Sequence, residues 1–330
     1  RRPWAALVAA GSTGAVLAGA GLVVLGVGER VVEQRVVERV ALDTVSPLDG
    51  LPSVAARQKV TPAVVGLGAE GGAQAGSGVV VRDDGIVVTS TALAPAGAEL
   101  SVTLTDGRSV TATPVGSDPV TGLSVIDLEG EGYASSVLAS EAGLEEGATP
   151  FVLSAGPGGR TTTASGVVGP AHRFVGPEGG ALDGVAVAGR PTAEGLGGAV
   201  VDERGVVIGV TTAIDGGSWY VAPIEVARKV TEDLLTDGRV THCWLGVESG
   251  DDGTGGARVA SVVADSPADL AGVEAGDMVT AVDGEPVRRM PDLMLAMWAR
   301  SPGDEVDLTV VRPDGTRATL VLTLEAREPG

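Results

Sequence analysis

Attack by a serine on a carbonyl needs a hydroxyl, an imidazole beside it, and a carboxylate that orients the ring. The 330-residue chain holds only two imidazoles, His172 and His242. His172 lies in Gly169-Pro170-Ala171-His172-Arg173, and His242 directly precedes Cys243. Both read as solvated or hydrogen-bonded loop histidines rather than as catalytic bases. Ser90 and Thr91 are hydroxyls with no base next to them in sequence, and Asp118 sits in the string Gly116-Ser117-Asp118-Pro119. The single cysteine, Cys243, cannot form a disulfide framework or a thiolate metal site. It reads as a small buried hydrophobe, or as a thiol that pairs between chains outside the cytoplasm. No metal site and no cofactor is expected.

Composition narrows the function classes further. The formal charge is −20, and no basic face is visible. Nucleic-acid binding, which needs cations to neutralise phosphates, is therefore not expected. An acidic exterior would also be repelled by anionic headgroups. The chain has 51 glycines and only two lysines, Lys59 and Lys229, so arginine carries most of its positive charge. That bias fits a GC-rich bacterial genome of the actinobacterial kind.

Several elements must position any site. Val79-Val80-Val81 leads through Asp83-Asp84-Gly85 into Ile86-Val87-Val88. Leu100 to Leu104 leads through Asp106-Gly107 to Val110, and Ala199-Val200-Val201 leads through Glu203-Arg204-Gly205 to Val206-Val207-Ile208. Each pair predicts a β-hairpin with glycine where φ must be positive. Many short strands with close turns predict a barrel or sandwich over about 59–240. A helix follows, from Pro223 to a stop at Gly238, with Val226, Val230 and Leu234 on one face.

The N-terminus points to a location. Trp4 to Gly28 carries no charge over 25 residues, about 37 Å as a helix, which is enough to span a bilayer core. Arg1 and Arg2 precede it, so the rest of the chain is expected outside the cytoplasm, held by a single-pass anchor over 1–28. A cleaved signal peptide, with Ala18-Gly19-Ala20 as its small-residue site, is the competing reading. Residues 29–58 read as a linker, with valines at near-helical spacing and breaks at Pro47 and Pro52.

Four strings in order resemble the HtrA/DegP-like family of trypsin-fold serine proteases with a C-terminal PDZ domain. They are Gly76-Ser77-Gly78-Val79 with its hairpin, Asp106-Gly107-Arg108, Gly116-Ser117-Asp118-Pro119-Val120-Thr121, and Gly195-Leu196-Gly197-Gly198 before Gly205. The resemblance implies a mainly β fold, with a trypsin-like double β-barrel over 59–240 and an α+β PDZ domain over 241–330. It also implies where a triad would stand. The family's histidine position falls on Ala92, its aspartate position on Gly122 and its serine position on Leu196. None of these side chains can transfer a proton or attack a carbonyl. Glu194 stands where the family has a glycine that donates to the oxyanion, and its carboxylate would oppose negative charge there.

The PDZ resemblance rests on Trp244-Leu245-Gly246-Val247, which is similar to the family's carboxylate-binding loop, and on Ser266-Pro267-Ala268, Gly276-Asp277 and Val282-Asp283-Gly284. Such a loop aims successive amides at a peptide's terminal carboxylate. A helix over about 291–300 carries the i,i+4 pairs Leu293/Met297 and Met294/Trp298. In the family this helix walls the peptide groove, so one pair is expected on the groove and the other in the core, with an all-core arrangement as the alternative.

The expectation from sequence is thus a membrane-anchored HtrA-like pseudoprotease, not an enzyme. It would bind C-terminal peptides or unfolded regions of extracytoplasmic proteins as scaffold, sensor or chaperone in envelope quality control. By family analogy a homotrimer is one assembly open to it. The alternative is an active HtrA-like serine endopeptidase with a non-standard site.

Overall fold

A computed structural model describes residues 54–69, 73–95, 98–141, 143–175, 181–249 and 255–326, all within the compact unit 46–330. The anchor expected over 1–28 lies outside the described residues. Among the described residues no helix is long and apolar enough to cross a membrane. The last part of the expected linker is the short helix α1 (Val54–Val60). It belongs to the folded body, because Ala56 and Val60 are buried and the Ala56 backbone packs on Gly205.

Thirteen strands follow before the next long helix. They are β1 (Val64–Ala69), β2 (Gln74–Val80), β3 (Ile86–Ser90), β4 (Leu100–Thr103), β5 (Ser109–Asp118), β6 (Leu123–Leu128), β7 (Phe151–Ala155), β8 (Thr161–Ser165), β9 (Val167–Val175), β10 (Ala181–Ala188), β11 (Ala199–Val201), β12 (Val207–Asp215) and β13 (Ser218–Pro223). Strands β1-β2-β3-β6-β5-β4 close a barrel, and β8-β7-β11-β12-β13-β10-β9 form a seven-stranded sheet. The three hairpins read from sequence are present, with Val79 opposite Val88, Val102 opposite Val110 and Val200 opposite Gly209.

The unbroken apolar runs have a simple cause. Successive side chains of a strand point to opposite faces. Val65, Val80, Val87 and Ile126 fill the barrel, while their neighbours Val64, Val79, Val88 and Val125 enter a second core shared with the seven-stranded sheet. Strands buried on both faces lose the polar alternation of a half-exposed sheet. The junction between barrel and sheet is therefore built on rigid backbone from both sides.

Helix α2 (Ile224–Asp237) closes this half, burying Val226, Val230 and Leu234 and ending on left-handed Gly238. The C-terminal half contains β14 (Cys243–Trp244), β15 (Val247–Ser249), β16 (Ala257–Val262), α3 (Pro267–Leu270), β17 (Met278–Val282), β18 (Glu285–Pro286), α4 (Met290–Trp298), β19 (Glu305–Val311), β20 (Arg317–Thr323) and β21 (Glu325–Ala326). Its main sheet runs β15-β16-β17-β19-β20, so β15 is an edge strand. Helix α4 contacts β14, β16 and β17 on one side and β9, β10 and α2 on the other.

Candidate functional site

The positions that the resemblance singles out converge at the barrel–sheet junction. β3 ends at Ser90, whose hydroxyl donates to the Thr212 carbonyl at 2.8 Å and accepts from the Ala92 amide at 3.3 Å. The Thr91 amide donates to the Gly122 carbonyl at 2.9 Å, which holds Ala92 and Gly122 on adjoining turns. The segment 192–198 arrives from the other side. The Ser77 amide donates to the Leu196 carbonyl at 2.8 Å, and the Gly197 amide to the Thr211 carbonyl at 2.9 Å. Gly197 has φ +72°, and a Cβ there would run into the Ser77 carbonyl oxygen and come within 2.5 Å of Thr89 Oγ1. Glycine is needed at this position by both torsion and space.

Besides Ser90, the hydroxyls of Ser77, Thr89 and Thr211 at this junction are engaged with backbone. Ser77 Oγ donates to the Glu194 carbonyl at 2.5 Å and accepts from the Ala155 amide at 2.9 Å. Thr89 Oγ1 donates to the Ser77 carbonyl at 2.7 Å, and Thr211 Oγ1 donates to the Gly195 carbonyl.

Ala193–Gly195 forms a 3₁₀ turn that sequence reasoning did not foresee. Within it the Leu196 amide donates to the Ala193 carbonyl at 3.1 Å and the Gly195 amide to the Thr192 carbonyl at 2.9 Å. The Glu194 carboxyl is held below the usual glutamate range by its own backbone amide, with the Thr192 hydroxyl adding to the effect. Of the two amides that an oxyanion hole would use, those of 194 and 196, the one at 196 is already donating in this conformation.

The two histidines have different surroundings. His172 is a strand residue opposite Gly184 in the β9–β10 hairpin. His242 is mostly buried, and its Nε2 lies 3.0 Å from Asp118 Oδ1. Asp118 also accepts from the Val120 and Thr121 amides and from the Thr121 hydroxyl at 2.6 Å. Burial pushes the Asp118 carboxyl up, but His242 and these donors outweigh it and hold it below the ordinary value. The His242 ring meets Trp298 edge-on with centroids 5.9 Å apart. The pair therefore ties β5 to the entrance of the C-terminal half. Sequence reading had noted both residues separately, and nothing in their spacing links them.

Cys243 is buried, and burial pushes its thiol up to about 11. Among the described residues no group of three or more His, Cys, Asp or Glu side chains could hold a metal. A hollow of 240 Å³ lies between β2–β3 and α2, lined by Val81, Leu138, Ala227, Arg228 and Leu235, away from the junction.

In the C-terminal half, Trp244-Leu245-Gly246-Val247 forms a loop with its carbonyls turned inward. The Leu245 carbonyl accepts from the Ala268 amide at 2.9 Å and the Gly246 carbonyl from the Val263 amide at 2.8 Å. A trans peptide sets its N–H opposite its C=O, so the amides of Gly246 and Val247 point the other way, toward the open edge of β15. Trp244 and Val247 are partly exposed, while Leu245 is in the core. On α4, Leu293 and Met297 enter the PDZ-half core, whereas Leu295 and Trp298 join the core of the trypsin-like half and Met294 touches both. The helix carries apolar residues around its circumference, so both of its faces are buried.

Comparison with known proteins fits these two halves. Residues 76–210 match the trypsin-like peptidase domain family and residues 233–324 the PDZ domain family. Serine protease PepD of Mycobacterium tuberculosis is 29% identical over 302 residues, covering 82% of this chain and 65% of PepD. A probable periplasmic serine endoprotease, DegP-like, of Brucella suis is 34% identical over 263 residues, covering 72% of this chain and 50% of that protein. The chain thus spans between half and two thirds of these curated relatives. Among solved structures, the HtrA-type protease AlgW with tripeptide has a TM-score of 0.59 at 26% identity, covering 84% of this chain and 97% of AlgW. The serine endoprotease from Yersinia pestis, at 23% identity and a TM-score of 0.51, shares the fold.

These likenesses correct one expectation. The sequence reading of a chain that is not an enzyme is overturned, because its relatives are named as serine proteases and endoproteases and the chain has their fold. With a trypsin-like peptidase half followed by a PDZ half, the chain is a homologue of the HtrA/DegP-type serine proteases.

Proposed function

We propose that the protein takes hold of extracytoplasmic polypeptides by their C-termini, in the manner of an HtrA-type protein. The observation that carries this reading is the edge position of β15 among the described residues, beside a loop whose Leu245 and Gly246 carbonyls are tied inward so that the Gly246 and Val247 amides point away from them. A peptide laid along β15 would continue the sheet, and its terminal carboxylate would receive both amides. An extracytoplasmic setting is supported by relatives named as periplasmic. The uncharged stretch Trp4–Gly28 supports a membrane tether. Fluorescence anisotropy with labelled peptides tests the groove. Free-acid peptides should bind, and the same peptides with amidated C-termini should bind at least about tenfold more weakly. Equal affinity for both forms would rule out carboxylate capture at this loop.

A second reading is favoured by the names of the relatives: serine endopeptidase activity at the barrel–sheet junction. It would require a residue set other than 92, 122 and 196, which carry Ala, Gly and Leu. Fluorophosphonate labelling followed by peptide mapping tests it directly. A labelled serine or threonine would identify the nucleophile, and casein cleavage without labelling would point away from serine chemistry.

A further inference from the structure

We propose that Trp219 determines specificity in the trypsin-like cleft: its indole fills the pocket beside position 196, so the cleft admits only glycine or alanine at that subsite. Endopeptidases of this fold read the residue before the scissile bond in a pocket next to the nucleophile position. Here that space is bounded by the 189–195 segment, β12 and β13. Trp219 stands on β13, opposite Ile214 of β12 and Val187 of β10, and is 1% exposed.

Three glycines surround the ring. At Gly195, the residue directly before 196, a Cβ would come within 2.6 Å of the indole Nε1. At Gly189 it would overlap Cζ3, whereas at Gly166 it would overlap Val187 Cγ1 and meet the Ala188 carbonyl oxygen at 2.9 Å before Cζ3 at 3.3 Å. All three approach the same side chain from the segments that wall the space, and none of the three has a positive φ that would by itself call for glycine. Glycine at 189 and 195 is accounted for by the bulk of the indole, and glycine at 166 by Val187 and the Ala188 backbone that pack beside it. The Nε1–H is also buried without a partner among the described residues. Buried tryptophan usually finds an acceptor for this group, so the ring is placed here by its volume and not by a hydrogen bond.

This inference rests on the trypsin-like half having a peptide cleft and is independent of carboxylate capture by the PDZ half. Disulfide capture in the full chain tests it without requiring turnover. Leu196→Cys places a thiol at the cleft, and Cys243 is buried with a raised pKa and stays inert, as the parent chain would verify. Diethyl, diisobutyl and bis(phenylethyl) disulfides are offered in competition under a thiol buffer, and adducts are read by intact mass. With Trp219 present, the phenylethyl adduct should not exceed the ethyl adduct. With Trp219→Ala added, the phenylethyl adduct should prevail by about tenfold, the scale on which apolar pockets discriminate. Trp219→Phe, which keeps a ring in the core, should shift preference from ethyl toward isobutyl and provides the readout if the alanine variant does not fold. The proposal is overturned if the aromatic adduct already dominates with Trp219 in place. It is equally overturned if neither variant changes the preference while near-UV circular dichroism stays native.

Discussion

Gly246→Ala is the sharpest perturbation of the carboxylate loop. Gly246 has φ +82°, and an alanine held in this left-handed region costs about 1–2 kcal/mol. Its Cβ would overlap Cβ and Oγ of Ser266, a residue 1% exposed whose Oγ accepts from the Asp269 amide and caps α3. Making room in a packed site of this kind costs about 1–3 kcal/mol more. The sum, about 2–5 kcal/mol, can be relieved only by moving the loop, since the inward hydrogen bonds to Ala268 and Val263 fix its present path. A displacement worth about 3 kcal/mol in the bound state weakens peptide binding about 100-fold. Gly303→Ala separates the two contributions. Gly303 also has positive φ, at +96°, but a Cβ there meets nothing within 4 Å, so it should cost stability alone and leave affinity unchanged. Anisotropy titration with a free-acid peptide and thermal melts on the same samples measure both quantities. An alanine at 246 that binds within about threefold of the parent and melts at the parent's temperature would refute the reasoning from φ and overlap.

Three further outcomes follow from the geometry. Asp118 has a folded pKa below the ordinary aspartate value of about 3.9, so its stabilisation is complete above that value and is lost as pH falls through the lower folded one. Melting temperature should therefore decline more steeply with acid in the parent than in Asp118→Asn, and parallel acid limbs would disprove the assignment. At pH 8 a thiol with a pKa of about 11 is about one part in a thousand ionised, so Cys243 should react with a thiol-specific disulfide reagent far more slowly in the native chain than in urea. Trp298→Ala removes a 6%-exposed side chain whose truncation costs about 3–5 kcal/mol. Limited proteolysis should then cut more readily near Gly238–His242, where the two halves join.

The fold was legible where local chemistry and burial agree. The hairpins announced themselves through glycines at 85, 107 and 205, all of which adopt positive φ, and α2 through its single apolar face and the stop at Gly238. Helix α4 was legible as a helix, but its second face was not, because Leu295 and Trp298 look the same in sequence whether they line a groove or meet a neighbouring sheet. The cleft was legible as a set of positions and not as a conformation. Whether the Leu196 amide is free or tied to Ala193 depends on the 3₁₀ turn, and nothing in Thr192-Ala193-Glu194-Gly195 forces that turn. Trp219 was illegible for a related reason, since one aromatic in a β-strand reads as ordinary core. Its meaning comes from Gly189 and Gly195, at the two ends of one segment, which close on the same ring only in the fold. The turn over 192–196 and the indole beneath it are therefore one packing unit. A larger side chain at 195 would press on Trp219, and a smaller one at 219 would remove the floor under that turn. Peptide access beside position 196 and the turn that ties up its amide are accordingly coupled through Trp219.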